Sequence, residues 1–233
     1  PLAYSEHAHA WKKQHVVKLF HSHEIEAALD QLDVLLLCNP NNPTGERFAP
    51  EQLLAWHERL AARGGWLVVD EAFIDATPEQ SIASHAGKEG LIVLRSLGKF
   101  FGLAGARVGF VAAWPALLAR MQEVLGPWAI NAPARTIARL ALQDSAWQLA
   151  ARERLQRDSA RLATLLAQHG LAPTGGTSLF QWIRTDRATE LHDALARQGI
   201  LTRLFNEPAS LRFGLPGIED EWDRLELALG KQT

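Results

Sequence analysis

The chain has 233 residues, 47% of them hydrophobic, and its 24 Lys and Arg against 26 Asp and Glu leave a formal charge of -2. That is apolar material for one large domain or two modest ones, and a near balance of charge without basic blocks argues against nucleic acid or an anionic membrane as the main partner. The single cysteine, Cys38, cannot form an internal disulfide, and no apolar run reaches the roughly 18 residues of a membrane span, so a reducing cytoplasm and small-molecule partners are expected.

The opening PLAYSEHAHAW begins at Pro1 without Met and reads like the interior of a folded protein, so a preceding segment is expected. His7, His9, His15, His21 and His23 cluster here, but no Cys, Asp or Glu accompanies them at metal-ligand spacing. Solvated or core histidines and no metal are expected.

DVLLLC (33 to 38) is a short apolar run that predicts a strand. APEQLLAWHERLAARGG follows with Leu53, Leu54, Trp56, His57 and Leu60 on one helical face and Gly64-Gly65 at its end. WLVVDEAF (66 to 73) and LIVLRS (91 to 96) are continuous β-rich runs without alternation, as parallel strands buried on both faces require. GARVGFVAAW (105 to 114) predicts a further strand. Strand, helix, strand implies βαβ units in an α/β layer.

Near Pro115 the pattern becomes helical through residue 170, and SLFQWIRT, an Ala-rich helix (188 to 198), GILTRLF, SLRFGLPG and a last helix then form an α+β tail. A soft boundary falls at GPWAIN (126 to 131), giving one domain over 1–128 and a smaller one over 129–233. Trp114, Trp128, Trp147, Trp182 and Trp222 are expected to fill the core and the joint between domains, with Trp128 and Asn131 placed where they could reach a substrate.

Four stretches carry possible chemistry. CNPNNPTG (38 to 45) follows a strand; Asn-Pro and Thr-Gly are ordinary turn formers, yet the carboxyl ends of parallel strands are where α/β proteins place ligands, and a stiffened turn there would fix an Asn amide. VVDEAF ends in Asp70-Glu71 and Phe73. An acidic pair at a strand end can simply solvate itself, and the metal-holding role it has in phosphate-loop NTPases needs a G-x-x-x-x-G-K-[ST] loop, which the chain lacks. In SLGKFFGLAGARVGF (96 to 110), Lys99 alone among the lysines lies amid Phe100, Phe101 and Leu103, an apolar setting that would favour the free amine as a nucleophile toward a carbonyl. Ser96 and Arg107 flank it with a hydroxyl and a guanidinium suited to one phosphate. In SLRFGLPG, Arg212 sits in a β-like run and needs an anion, either a structural carboxylate or a substrate's.

Taken in this order, N-P-x-N-P-T-G, D-E-A-[FY], S-x-x-K-x-x-G-L-A-G-x-R-x-G-[FY] and an R-F-G strand resemble the aspartate-aminotransferase superfamily of pyridoxal-phosphate enzymes, fold type I. The resemblance spans about residues 33 to 217 and leaves out the family's N-terminal segment. It implies a large domain with a mostly parallel sheet flanked by helices, a smaller α+β C-terminal domain, pyridoxal 5'-phosphate as cofactor and a homodimer. It also implies roles. Lys99 would bond to the cofactor aldehyde and Asp70 would keep the pyridine nitrogen protonated, the two forming the catalytic pair. Asn42 would donate to the ring's phenolic oxygen beside the substrate, Ser96 and Arg107 would hold the cofactor phosphate, and Arg212 would take the substrate carboxylate.

Within the superfamily, relatives that make histidinol phosphate by transamination carry Tyr where Phe73 stands. Asp-Glu-Ala-Phe-Ile-Asp, LRFGLPG, GPWAI and the P-x-x-Y-x-E-H opening instead look like the threonine-phosphate decarboxylases of cobalamin biosynthesis. That group converts O-phospho-L-threonine, an amino-acid phosphate, to 1-amino-2-propanol phosphate, so a carboxy-lyase is expected, with a histidinol-phosphate-type aminotransferase as runner-up. Lys, Asp and Asn serve both reactions, and contacts around the substrate choose between them. A reading of another class is an aminotransferase-like ligand-sensing domain of a transcription regulator.

Overall fold

The computed structural model describes residues 2–231; Pro1, the first position of the P-x-x-Y-x-E-H opening, lies outside the described residues. The chain divides into two compact units. The first comprises Ala3–Asn41 and Arg47–Gln148, and the second comprises Asn42–Glu46 and the chain from Leu149 onward, together with Leu2.

The first unit is built on a four-stranded sheet in the order β1 (Val34–Cys38), β2 (Trp66–Asp70), β3 (Leu91–Ser96), β4 (Gly109–Ala112). The first three strands are parallel, and β4 runs antiparallel to β3. Because successive side chains point to opposite faces, Leu35, Leu37, Leu67, Val69, Leu91 and Val93 share one face. They pack there with Leu53, Trp56 and Leu60 of a helix, α3 (Pro50–Ala61). Val68 and Ile92 face the other way, into a cluster with Ala113. Apolar residues on both faces are the physical reason these strands read as unbroken hydrophobic runs. Pro50 suits the first turn of α3, where its missing N–H has no partner to lose.

Two short helices precede the sheet, α1 (Ser5–Trp11) and α2 (Ile25–Ala28). After β4 come α4 (Pro115–Leu125), α5 (Ala132–Gln143) and the long α6 (Ser145–Gln168). The GPWAIN stretch is the turn between α4 and α5 rather than the place where the units divide. The first unit continues to Gln148 because Trp147, in the first turn of α6, packs against Phe100 and Phe101 at ring-centre distances of 5.5 and 5.9 Å. Trp128 fills no core: it stands 88% exposed in that turn, next to α4, which buries none of its residues. Asn131 is the N-cap of α5, its side-chain oxygen accepting from the Ala134 N–H at 2.9 Å.

The second unit has an antiparallel sheet in the order β5 (Gly175–Thr177), β6 (Phe180–Arg184), β8 (Ser210–Gly214), β7 (Arg203–Phe205). Ile183, Leu211 and Phe213 face a core shared with α6, α7 (Ala188–Ala196) and α8 (Glu219–Gly230) through Leu162, Leu191 and Leu225. The alternate residues Phe180, Trp182 and Arg212 therefore occupy the opposite face of the sheet. Among the described residues, no helix is long and apolar enough to cross a membrane.

Candidate active site

In the first unit, Asp70 is the last residue of β2 and lies in register with Cys38, the last residue of β1. Neighbouring parallel strands thus end with a carboxylate and a thiol side by side. Asp70 Oδ1 accepts the Ala72 N–H at 2.9 Å, and Asp70 Oδ2 meets His7 Nε2 at 2.7 Å and the Cys38 thiol at 3.9 Å. Both partners of the His7–Asp70 pair are largely shielded, with side-chain exposures of 20% and 14%, so the carboxylate is fixed in position and has lone-pair capacity for one further donor. His7 was expected to be a solvated or a core histidine; it is instead half-buried and paired with a carboxylate. It pairs with a candidate site residue, a contact that sequence reading missed, since its partner lies 63 positions away; the only sequence hint was its place in the P-x-x-Y-x-E-H opening.

The strand stops at Asp70 rather than at Phe73 because the next residues turn into a buried polar network. Glu71, fully buried, accepts from the Ser81 hydroxyl at 2.5 Å and the Ile82 N–H at 2.8 Å. Arg95 of β3 reaches Glu71 at 3.4 Å and pairs more closely with Asp75. Burial raises the Glu71 carboxyl above its ordinary range, outweighing the opposing pull of Ser81, Ile82 and Arg95. This network fixes the turn that carries Asp70 and Phe73 from below.

Ser96 ends β3, and its Oγ accepts the Gly98 N–H at 3.1 Å. Three residues later, the Lys99 ammonium lies 5.5 Å from the centre of the Phe73 ring, a cation–π contact. The apolar niche expected around Lys99 is not present. Phe100 and Phe101 turn inward to Trp147 and are buried, whereas Lys99 is exposed. Arg107 adopts φ +54°, a left-handed conformation that no other non-glycine residue among those described shares. Such a backbone costs on the order of 1–3 kcal/mol and gathers at functional sites. Asp70 and Ser96 end β2 and β3, and Lys99 and Arg107 lie in the segment that follows β3, at the ligand end of a parallel sheet.

The two Asn-Pro steps serve different partners. Asn39, buried in the first unit, holds the Phe48 backbone through both halves of its amide, at 2.9 and 3.2 Å. Asn42 belongs to the second unit, where its side-chain oxygen accepts a hydrogen bond from Arg212. With that oxygen engaged, the amide presents its N–H groups as donors. Arg212 also lies 5.1 Å from the Phe180 ring centre. Burial, and secondarily Arg203 across the β7–β8 pair, lowers the pKa of its guanidinium from the ordinary arginine value. The cation has no carboxylate among its described contacts, which leaves it competent to take an anion.

Three glycines bring Asn42 to this place. A Cβ on Gly45 would stand 2.0 Å from the Gly176 carbonyl oxygen, and one on Gly175 would stand 2.1 Å from that of Thr44. Segment 42–46 therefore lies directly on the backbone of β5, which no side chain would permit.

This geometry has known counterparts. Residues 14–226 match the family model described as aminotransferase class I and II, and the chain belongs to that family. It is 56% identical over 227 residues to a threonine-phosphate decarboxylase of Pseudomonas aeruginosa, covering 97% of this chain and 69% of that protein. A protein of the same name from Sinorhizobium sp is 45% identical over 194 residues, covering 82% of this chain and 58% of the relative. The chain thus spans between about half and two thirds of the length of such relatives. In fold it is similar to the histidinol-phosphate aminotransferase of Clostridium acetobutylicum, with a TM-score of 0.88 at 23% identity, covering 98% of this chain and 75% of that one.

Proposed function

We propose that this chain carries most of a pyridoxal-phosphate-dependent carboxy-lyase that converts O-phospho-L-threonine to 1-amino-2-propanol phosphate for cobalamin synthesis. The observation that carries the substrate choice is the 56% identity to a threonine-phosphate decarboxylase across nearly the whole chain. The side chains present fit the cofactor. Lys99 offers a primary amine for the aldehyde, Asp70 a carboxylate fixed by His7 and Ala72 for the ring nitrogen, and Ser96 and Arg107 a hydroxyl and a guanidinium for the phosphate.

When bound, pyridoxal phosphate supplies an electron sink for the bond that breaks at the substrate's Cα. The chain's own residues do the rest. Asp70, fixed by His7 and the Ala72 N–H, would face the ring nitrogen; Asn42 would donate to the ring oxygen; the Lys99 amine would hold the cofactor through its aldehyde and is the group placed to move a proton at the substrate's Cα. Arg212, braced by Asn42, grips the substrate carboxylate and so governs which bond at Cα is placed to break. Phe73, in place of the Tyr of histidinol-phosphate aminotransferases, leaves Asn42 as this chain's donor to the ring oxygen. A homodimer working in the cytoplasm completes the reading.

The test is to incubate the full-length enzyme and cofactor with phosphothreonine, following CO2 and 2-oxo acids together. Release of CO2 without any 2-oxo acid is expected. Conversion of 2-oxoglutarate to glutamate with histidinol phosphate, and no CO2 from phosphothreonine, would overturn the proposal in favour of the aminotransferase.

A further inference from the structure

We propose that the indole N–H of Trp182 is a further donor to the substrate carboxylate that Arg212 takes. Among the described residues, two buried side-chain polar atoms have no hydrogen-bond partner, His57 Nδ1 and Trp182 Nε1. His57 is accounted for: its Nε2 donates to the Glu89 carbonyl at 2.8 Å, which leaves Nδ1 as a bare lone pair. An indole nitrogen is a donor only, so Trp182, 6% exposed, holds a proton for which the described residues supply no acceptor. Such a donor is costly to bury, and native structures match nearly all of them.

The sheet register shows where that proton points. Trp182 on β6 lies opposite Gly175 of β5 on one side and opposite Arg212 of β8 on the other. The Cε3 edge of the indole lies against β5, 3.7 Å from where a Cβ on Gly175 would stand. Nε1 sits on the other long edge of the ring system, so it faces β8. Residues directly opposite in an antiparallel pair leave the sheet on the same face with Cβ atoms about 4.5–5.5 Å apart, so the indole and the Arg212 side chain rise side by side. The Thr44 carbonyl oxygen stands over Gly175, 2.1 Å from the same Cβ position, and Asn42 meets Arg212. Segment 42–46 thus touches the sheet on both flanks of Trp182, which accounts for the burial of an indole on the face away from the helices.

Both neighbours lack the same thing. Arg212 gives a hydrogen bond to Asn42 Oδ1 and has no carboxylate among its described contacts, and its guanidinium leans along the sheet to the Phe180 ring. Guanidinium and indole are donors without acceptors, so the ligand that satisfies both is an anion. A carboxylate offers two oxygens at a fixed angle, one for the guanidinium and one for the indole N–H. Two donors from adjacent strands fix the plane of that group and the direction of its bond to Cα, which Arg212 alone leaves free to turn. That the anion is a substrate carboxylate rests on the function proposed above; the unmatched donor beside Arg212 does not.

The test compares two ligands that differ by the carboxylate alone, phosphothreonine and 1-amino-2-propanol phosphate, on the full-length enzyme with its cofactor. Trp182→Phe removes the N–H and keeps an aromatic ring. Benzothienylalanine at position 182, with sulfur in place of the N–H, keeps the shape as well and decides the matter should Trp182→Phe fail to fold by circular dichroism. Each is expected to lower kcat/KM for phosphothreonine about tenfold or more, the scale of one hydrogen bond to a charged group, with the inhibition constant of 1-amino-2-propanol phosphate held within about twofold. A merely structural role would weaken both ligands alike. Equal losses for the two ligands, or no loss for phosphothreonine with the sulfur isostere, would overturn the role of Trp182, while CO2 release by the unmutated enzyme would leave the reaction standing. Should the unmutated enzyme prove an aminotransferase, the comparison passes to glutamate, which bears a carboxylate at Cα, against histidinol phosphate, which bears none. A loss confined to glutamate would uphold the Trp182 donor and refute only the reaction proposed above.

Discussion

Asn42 accepts a hydrogen bond from Arg212, a residue 170 positions further along the chain. The contact joins the turn that carries Asn42 to the middle of β8 and brings two separate sequence motifs together, the pair proposed above to take the substrate carboxylate. The expected outcome of breaking it is a coupled loss. Asn42→Ala and Arg212→Ala should each lower kcat/KM by about 10- to 100-fold, the scale of a hydrogen bond to a charged group. The double variant should be worse than either single one, through loss of the Asn42 donor to the ring oxygen, but less impaired than the product of the two single losses. Steady-state kinetics on phosphothreonine for the four forms checks this, and fully additive losses would contradict it.

Lys99→Ala removes the amine that lies over the Phe73 ring. Turnover should fall by at least about a thousandfold, within the range for a group that acts in proton transfer. Treatment with pyridoxal phosphate and borohydride should add no mass to the variant, while the unmutated protein gains one reduced cofactor per chain by mass spectrometry.

His7→Ala leaves Asp70 without its side-chain partner at 2.7 Å. The expected effect is a drop in kcat of about 10- to 100-fold with KM nearly unchanged, as for loss of an outer residue that orients a reacting group. A rise in KM at constant kcat would show instead that His7 serves substrate binding.

Glu71 gives a pH dependence of known sign. Its carboxyl pKa is raised in the folded protein, chiefly by burial, so between the ordinary value of 4.5 and the raised one the folded state binds more protons than the unfolded state. Its contribution to stability is therefore fully present below the ordinary value and is lost as pH rises through the folded pKa. Urea unfolding from pH 4.5 upward should show a falling component that Glu71→Gln flattens. An identical slope in the two proteins would dismiss the assignment.

Gly45→Ala should destabilise the fold by about 3 kcal/mol or more. The added Cβ meets the backbone of Gly176 at 2.0 Å, and φ at this position is +74°. Gly64→Ala is the control. It shares a positive φ of +73°, but a Cβ there meets nothing within 4 Å, so only the conformational cost remains. Denaturant midpoints of the two variants distinguish crowding from backbone strain.

The sheet of the first unit was legible because strands buried on both faces leave continuous runs such as VLLLC and WLVVD, and α3 declared itself through Leu53, Trp56 and Leu60. The order of chemistry-bearing residues was legible too, since Asn42, Asp70, Lys99 and Arg212 each lie in a short motif with its own spacing. Pairing direction was not. Nothing in GFVA marks β4 as antiparallel, because direction depends on where the chain returns rather than on side chains. Side-chain convergence was also hidden: His7 with Asp70, and Arg95 with Asp75, meet only after the strands are laid side by side. The exposed position of Lys99 ran against its apolar neighbours in sequence because Phe100 and Phe101 turn away from it to cover Trp147.

The close seating of residues 42–46 on β5 has a bearing on how relatives of this chain can be recombined. A chimera that exchanges everything after Gln148 keeps the donor's Gly175-Gly176 but inherits the recipient's Thr44 and Gly45, and a bulkier residue on either side of that seam has nowhere to go. Crossovers that carry residues 42–46 along with the C-terminal half preserve the match, so this pentapeptide travels with the second unit although the chain supplies it from within the first.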